Sequence, residues 1–348
     1  MSQRVALYFV ASPLQYLAAR RIAEAFEPGA RQVLVWYKRG VTPIVRAADW
    51  DAAGYMPWPR WEPLPGLFGR LARQRDNIRR VADLVGRCDE LVIHSAVFDT
   101  EAINYFLRAL PRRAGARTMH ARILPDGIIS IRRYPLSAAK RVAQYARKLR
   151  RLVAPELDYW CFGGDRIGSD APFCDRIYVL PGLPHEYPPA KTVVLPPLVE
   201  PDPARQAPGG EPTALVIGQP LVGAGLMQAA DRDHVSDEIA AWLKARGINR
   251  VFYKGHPKDP ALELNRPEYE VVTLDEPLEV HLARTPYAAV LGVRSSALLF
   301  ARQTAPADTA VVAFGWDRVR FKSDDERRQM EAAFRVNGIA LIGRGGAA

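Results

Sequence analysis

Cysteine is scarce in this chain. The three residues, Cys88, Cys161 and Cys174, are odd in number, far apart and without a CxxC pair. They offer neither a disulfide framework nor a thiolate zinc site, so reduced thiols and a cytoplasmic protein are expected. Long apolar runs are also missing. The run Val5–Ala11 falls well short of the ~20 residues that a membrane span needs. No small-residue cleavage pattern follows it, so it reads as a buried first strand rather than a signal peptide. Familiar signatures are absent as well: no GxGxxG after a strand, no GxxxxGK-S/T, no HExxH and no GxSxG. Nicotinamide, P-loop, zincin and α/β-hydrolase chemistries lose support accordingly. Asp49-Trp50-Asp51 has the Asp-x-Asp form of some metal–nucleotide sites, but it follows no convincing strand.

What is present is ordinary globular material. Hydrophobic residues make up 48% and charged residues 25% of 348, enough to bury two cores. The net charge of +10 favours anionic partners, whether nucleic acid, acidic lipid or a phosphorylated substrate. β-rich runs at Val5–Val10, Gln32–Tyr37, Glu90–His94 and Arg122–Leu124 alternate with helical patterns. A second alternating series runs through Thr213–Ile217, Val251–Lys254, Ala288–Leu291 and Ala310–Phe314. Alternation of this kind predicts parallel sheets covered on both faces. Between the two series the chain is crowded with Pro and Gly, with one short strand expected at Lys191–Leu195. The expected organisation is therefore a Rossmann-like domain over 1–185, a Pro-rich linker over 186–212 and a second Rossmann-like domain over 213–348.

In open α/β sheets, ligands bind beyond the carboxyl ends of the strands. Ser12, Asp126, His256 and the pair Ser295-Ser296 each follow a predicted strand. Asp126, between Pro125 and Gly127, has the chemistry of a general base and equally that of an Asx-turn residue. Lys254-Gly255-His256-Pro257 makes a compact cationic corner suited to phosphate, or a plain exposed loop. Ser295 and Ser296 open an apolar helix, as anion cradle or as N-cap. Gly218-Gln219-Pro220 brings backbone close to a nucleotide or simply turns.

These pieces, in this order, resemble the bacterial sialyltransferases, most closely the lipooligosaccharide sialyltransferase and polysialyltransferase group. The resemblance rests on Pro125-Asp126-Gly127, on Lys254-Gly255-His256-Pro257, on Arg294-Ser295-Ser296 and on the opening strand followed by Ser12-Pro13-Leu14-Gln15. It implies a GT-B fold and inverting transfer from CMP-sialic acid to a saccharide acceptor, with no cofactor and no obligatory metal. Asp126 would be the general base and His256 the acid or phosphate partner. Lys254, Gly255, Pro257, Ser295, Ser296, Gly218 and Gln219 would hold the CMP and its phosphate, and Ser12 and Gln15 would line the donor-sugar side. Two departures stand out. Position 125 is Pro where the group often has a second acidic residue, and Ala297 stands where some relatives place an acid on the ribose. Glu279, at a predicted helix start, is the substitute for the ribose hydroxyls.

Between Ile128 and Pro155 there are eight basic residues and no acidic one. Val142, Tyr145, Leu149 and Leu152 recur there at helical spacing. Such a helix can lie on an anionic membrane, gather an anionic glycan, or pack as an ordinary surface helix by its apolar stripe. Peripheral contact with an anionic inner membrane through 132–151, near the acceptor side, is therefore an expectation. Nucleic acid is not expected as a partner. Other readings are a transferase of another CMP-linked acid sugar (Kdo or legionaminic type) and a non-catalytic binder of anionic glycan or nucleic acid. Acceptor, linkage, repetition of transfer and oligomeric state have no signal in the sequence.

Overall fold

β1 (Arg4–Val10) is buried at every position from Val5 onward, as a parallel strand covered on both faces must be. A computed structural model describes residues 3–126, 133–199, 211–256, 258–306 and 308–343. The chain divides into two units, Met1–Pro181 with His185–Leu198, and Gly182–Pro184 with Val199–Ala348.

In the first unit, β1 pairs in parallel with β2 (Arg31–Trp36) and β4 (Glu90–Ser95). β3 (Ala52–Tyr55) extends one side, and β5 (Thr118–Ile123), β6 (Cys174–Val179) and β7 (Thr192–Val194) extend the other. The order is β3-β2-β1-β4-β5-β6-β7. β7 lies within the stretch read as connection, 186–212, and pairs with β6 at the edge of this sheet. The short strand expected at Arg122–Leu124 is the end of the longer β5.

Ser12 caps α1 (Pro13–Phe26) by accepting from the Gln15 amide, and Pro13 occupies the first turn, where its missing N–H costs nothing. Alternation along β1 serves two cores. Leu7 and Phe9 pack with Val33, Val35, Ile78, Val81 and Phe106 on one face. Tyr8 and Val10 pack with Tyr16, Ala19, Ile22 and Leu34 on the other. Each such apolar side chain contributes about 1.5–3 kcal/mol on full burial. α2 (Gly69–Val85), α3 (Glu101–Asn104), α4 (Phe106–Ala114) and α5 (Ala138–Lys148) complete the unit.

This unit also buries a charged cluster. Glu27, fully enclosed, takes ion pairs from Arg4 at 2.7 Å and from Arg122, which also reaches Asp175 at 2.9 Å. His94, likewise enclosed, lies 3.7 Å from Glu27 and stacks on Tyr8 at 4.4 Å. Its Nδ1 faces the Leu7 carbonyl at 3.3 Å. Burial pushes the His94 pKa down. For Glu27, burial alone would raise it, but His94, Arg122 and Arg4 together hold the carboxyl below its usual range.

The second unit repeats the plan. β8 (Thr213–Ile217) is flanked by β9 (Arg250–Lys254) and β11 (Ala289–Gly292). β10 (Glu270–Val271), β12 (Ala310–Phe314) and β13 (Ala340–Ile342) complete a parallel sheet of order β10-β9-β8-β11-β12-β13. α6 (Ala229–Ala245), α7 (Leu278–Arg284), α8 (Ala297–Thr304) and α9 (Asp324–Val336) cover it. Strand order reverses beside β1 in one unit and beside β8 in the other. Those reversals are where open α/β sheets leave a ligand crevice at the carboxyl edge.

Candidate functional site

In the second unit, three strand ends bring most of the predicted residues together. The Gly218 amide donates to the Lys254 carbonyl at 2.8 Å, tying the end of β8 to that of β9. A Cβ on Gly218 would lie 2.3 Å from the Tyr253 hydroxyl and 3.1 Å from the Lys254 carbonyl oxygen, so only glycine fits there. On the other side, the Gln219 side-chain oxygen accepts from the Arg294 amide at 3.1 Å, tying the β8 loop to the β11 loop. Gly218 and Gln219 thus sit between Lys254-Gly255-His256 and Ser295-Ser296.

This edge carries an imidazole, an ammonium and two hydroxyls. His256 Nδ1 accepts from the Lys258 amide at 3.0 Å, so a neutral ring carries its proton on Nε2. Partial burial, aided by the Lys258 and Lys254 charges, pushes the His256 pKa down despite its exposed position. Burial also lowers the Lys254 amine, whose Nζ donates to the Gly255 carbonyl at 3.1 Å. Ser295 Oγ accepts from the Ala297 amide at 3.2 Å, while Ser296 stands at the cap of α8 without a side-chain cap bond. Glu279 opens α7, which packs on α8, and burial raises its pKa although part of the residue reaches solvent. Glu263, nearly buried, accepts from the Leu221, Val222 and Gly223 amides and fixes the loop after β8. Sequence reasoning gave Glu263 no role. Pro257 lies outside the described residues, as does Gly127.

The other predicted residues belong to the first unit. Ser12 and Gln15 stand at the end of β1, with both side-chain oxygens engaged: Ser12 Oγ by the Gln15 amide, Gln15 Oε1 by the Ala11 amide at 2.7 Å. Asp126 is half-buried, three residues beyond β5. Burial and the Asp126 charge together hold the Tyr37 hydroxyl well above its usual range. Tyr37, at the end of β2, stacks on Trp58 at 4.6 Å. The sequence signal for Tyr37 was an aromatic at a strand's carboxyl end, which singles out nothing by itself.

Trp58 borders a cavity of about 450 Å³ lined by Arg60, Arg70, Lys140, Arg147 and Arg166 against two acids, Asp99 and Glu101. Asp99 pairs with Arg166 at 2.9 Å and Lys140 at 3.4 Å, and Glu101 with Arg147 at 3.3 Å and with Arg150. Arg60 and Arg70 are exposed and form no ion pair among the described residues. Gln144, at the same cavity, is buried and its Nε2 has no partner among the described residues. The cavity therefore offers donors, and suits a ligand rich in oxygen acceptors.

Two parallel Rossmann-like units define the GT-B fold class. A structure of Os79 from O. sativa in complex with UDP shares it, with a TM-score of 0.50 at 13% identity, over 98% of this chain and 88% of that one. A UDP-GlcNAc 2-epimerase from Methanocaldococcus jannaschii has a TM-score of 0.49 at 8% identity, over 99% and 89%. The corresponding figures for one from Neisseria meningitidis bound to UDP-GlcNAc are 0.48, 10%, 98% and 88%. No curated protein sequence matches the chain.

Residues 187–313 match the alpha-2,8-polysialyltransferase family. The resemblance drawn from the motifs is thus met at family level over the span holding Gly218, His256, Glu279 and Ser295-Ser296. Asp126 lies outside that span. The match and the fold support sialyltransferase-like glycosyl transfer from a nucleotide-sugar donor to a glycan acceptor. Among the described residues, no helix is long and apolar enough to cross a membrane.

Proposed function

We propose that the protein is an inverting, metal-independent glycosyltransferase moving sialic acid from CMP-sialic acid to a saccharide acceptor of the surface-glycan or lipooligosaccharide type. The observation that carries this reading is the edge of the second sheet. A buried glycine, a histidine presenting Nε2–H and two serines meet there within the span that matches the polysialyltransferase family.

In this mechanism an acceptor hydroxyl oxygen attacks the donor's anomeric carbon from the face opposite the phosphate. The bond from that carbon to the phosphate oxygen breaks, and CMP leaves with the electron pair. Asp126 takes the proton of the attacking hydroxyl. The departing phosphate gains negative charge, and donors aimed at it stabilise the transition state more than the bound substrate. His256 supplies Nε2–H, Ser295 and Ser296 supply hydroxyls, and Lys254 supplies an ammonium. Gly218, Gln219 and Gly255 line the nucleotide, and Glu279 takes the ribose hydroxyls. With their oxygens engaged by backbone, the Ser12 hydroxyl and the Gln15 amide nitrogen remain for the donor sugar. The cation-lined cavity beside Trp58 receives the acceptor.

CMP release from CMP-sialic acid is the test, with and without galactoside and sialoside acceptors. Release should rise with acceptor. It should fall about 10²–10⁴-fold in Asp126→Ala and about 10²–10³-fold in His256→Ala. Turnover confined to CMP-Kdo or a legionaminic-type donor would replace the sugar but keep the chemistry. No turnover of any CMP-linked donor would leave a non-catalytic binder and overturn the reading.

A further inference from the structure

α5 and the 3-10 turn after it, Leu149–Leu152, turn their apolar side outward. Val142 is 70% exposed, Tyr145 65%, Leu149 63%, Leu152 78% and the following Val153 91%. The opposite side is the one that packs: Gln144 is buried, Lys140 pairs with Asp99, and Arg147 and Arg150 pair with Glu101. A surface helix of a globular domain ordinarily directs its apolar stripe at the core and its charges at water. Here the arrangement is inverted, so the expectation of a stripe packed against the protein does not hold. A contiguous apolar stripe left at the surface marks an interaction site.

Charge says what covers it. Arg141 and Lys148 lie along the stripe, and neither forms an ion pair among the described residues. The segment from 128 to 155 carries no acidic residue at all. A second copy of this face would set like charges against one another, which costs free energy across a contact. A bilayer with anionic headgroups satisfies both features at once. Apolar side chains enter the boundary between headgroups and acyl chains while the cations stay at phosphate level. Tyr145 has the amphipathic ring favoured at that depth.

We propose that the outward face of α5 and its following turn docks the protein on an anionic lipid bilayer, with Tyr145, Leu149 and Leu152 inserted and Arg141 and Lys148 against the headgroups. The inner face of the same helix lines the cation-lined cavity, so docking seats that cavity within about one helix diameter (~10 Å) of the lipid surface. The docking does not depend on the transfer reaction, and it is measured without it.

Sedimentation of the full chain with vesicles tests this. Wild type should pellet with phosphatidylcholine vesicles containing a third phosphatidylglycerol and stay in solution with phosphatidylcholine alone. Tyr145→Ser/Leu149→Ser/Leu152→Ser should weaken binding at least ~10-fold through lost apolar insertion. Arg141→Glu/Lys148→Glu should weaken it by a similar factor and remove most of its salt dependence. All five positions are exposed or part-exposed, and unchanged thermal melting would confirm that both variants fold. CMP release with a soluble acceptor should stay at the wild-type level in both. A fluorophore attached at Leu149→Cys should shift to the blue on anionic vesicles. Equal pelleting of wild type and the serine variant would overturn the proposal in favour of a purely electrostatic polyanion surface. Failure of wild type to pellet with anionic vesicles would overturn it outright.

Discussion

β1 and β8 occupy the same place in two parallel sheets that share one order apart from the extra edge strand β7 of the first, yet the loops that follow them are built from different material. Beyond β8 the edge is narrow: Gly218 has no room for a Cβ, Gly255 would press one against Leu262 at 2.8 Å, and Glu263 and Gln219 lash the loops together. Beyond β1 and its neighbours the edge is lined by rings and long cations, Tyr37 on Trp58 and then the cavity. The second unit has the close-fitting backbone and small donors that a phosphate needs. The first has the wide, donor-rich space that a saccharide of variable length needs. On the proposed function, one topology serves two kinds of ligand, because topology places the crevice while the side chains after each strand decide what fits it.

The comparison can be broken most forcibly at the interior of the first unit, which has a buried charge cluster at its centre. Glu27→Ala removes the buried partner of Arg122, leaving it only the part-exposed Asp175, and should destabilise by about 3–5 kcal/mol, read as a lower midpoint in urea with an unchanged slope. A loss below ~1 kcal/mol would show that water reaches the cluster. The same residue sets a pH dependence. Glu27 has a folded-state pKa below its unfolded value, so its stabilisation is complete above the unfolded value of about 4.3. It is lost as pH falls through the folded value. His94, with its pKa lowered, adds to the loss on the acid side. Thermal melting should therefore fall steeply in acid, and Glu27→Gln should flatten that limb.

At the second edge, Gly218→Ala forces a methyl against Tyr253 and the Lys254 carbonyl and should cost about 1–3 kcal/mol. Donor KM should rise more than acceptor KM. If the two rise together, the edge does not hold the nucleotide. The smallest effect is expected at the first edge. Trp58→Ala removes one ring from a stacked pair and should raise acceptor KM about two- to tenfold with donor KM unchanged. A donor KM that moved instead would exchange the roles of the two edges.

Much of this was legible in the chain. The run Val5–Val10 announced a buried strand because parallel strands are apolar on both faces, and Ser12-Pro13 announced the start of α1 by cap chemistry. β3, with the sequence AAGY, and β6, with CDRIYV, carry no comparable run, and they form because neighbouring strands offer them a ladder. β7 (Thr192–Val194) falls within the short strand expected at Lys191–Leu195, inside the Pro-rich stretch. Lys254-Gly255-His256 and Ser295-Ser296 were visible as polar groups after strands, whereas Tyr37 and Glu263 were not. An aromatic or a carboxylate acquires its role only from the backbone and charges that surround it.

By itself, then, the sequence determined the alternation of strands and helices and the caps, since these depend on residues within a few positions of one another. Only the tertiary structure decided that Gln219 ties one loop to another 75 residues away, that Glu27 and Arg122 meet in the interior, and that the stripe from Val142 to Val153 faces out. Helical spacing puts apolar side chains on one side of a helix, but which side packs is settled by what the rest of the chain places against it. Here Asp99 and Glu101 pair with the cations of the other face, and the apolar side is left to the surface.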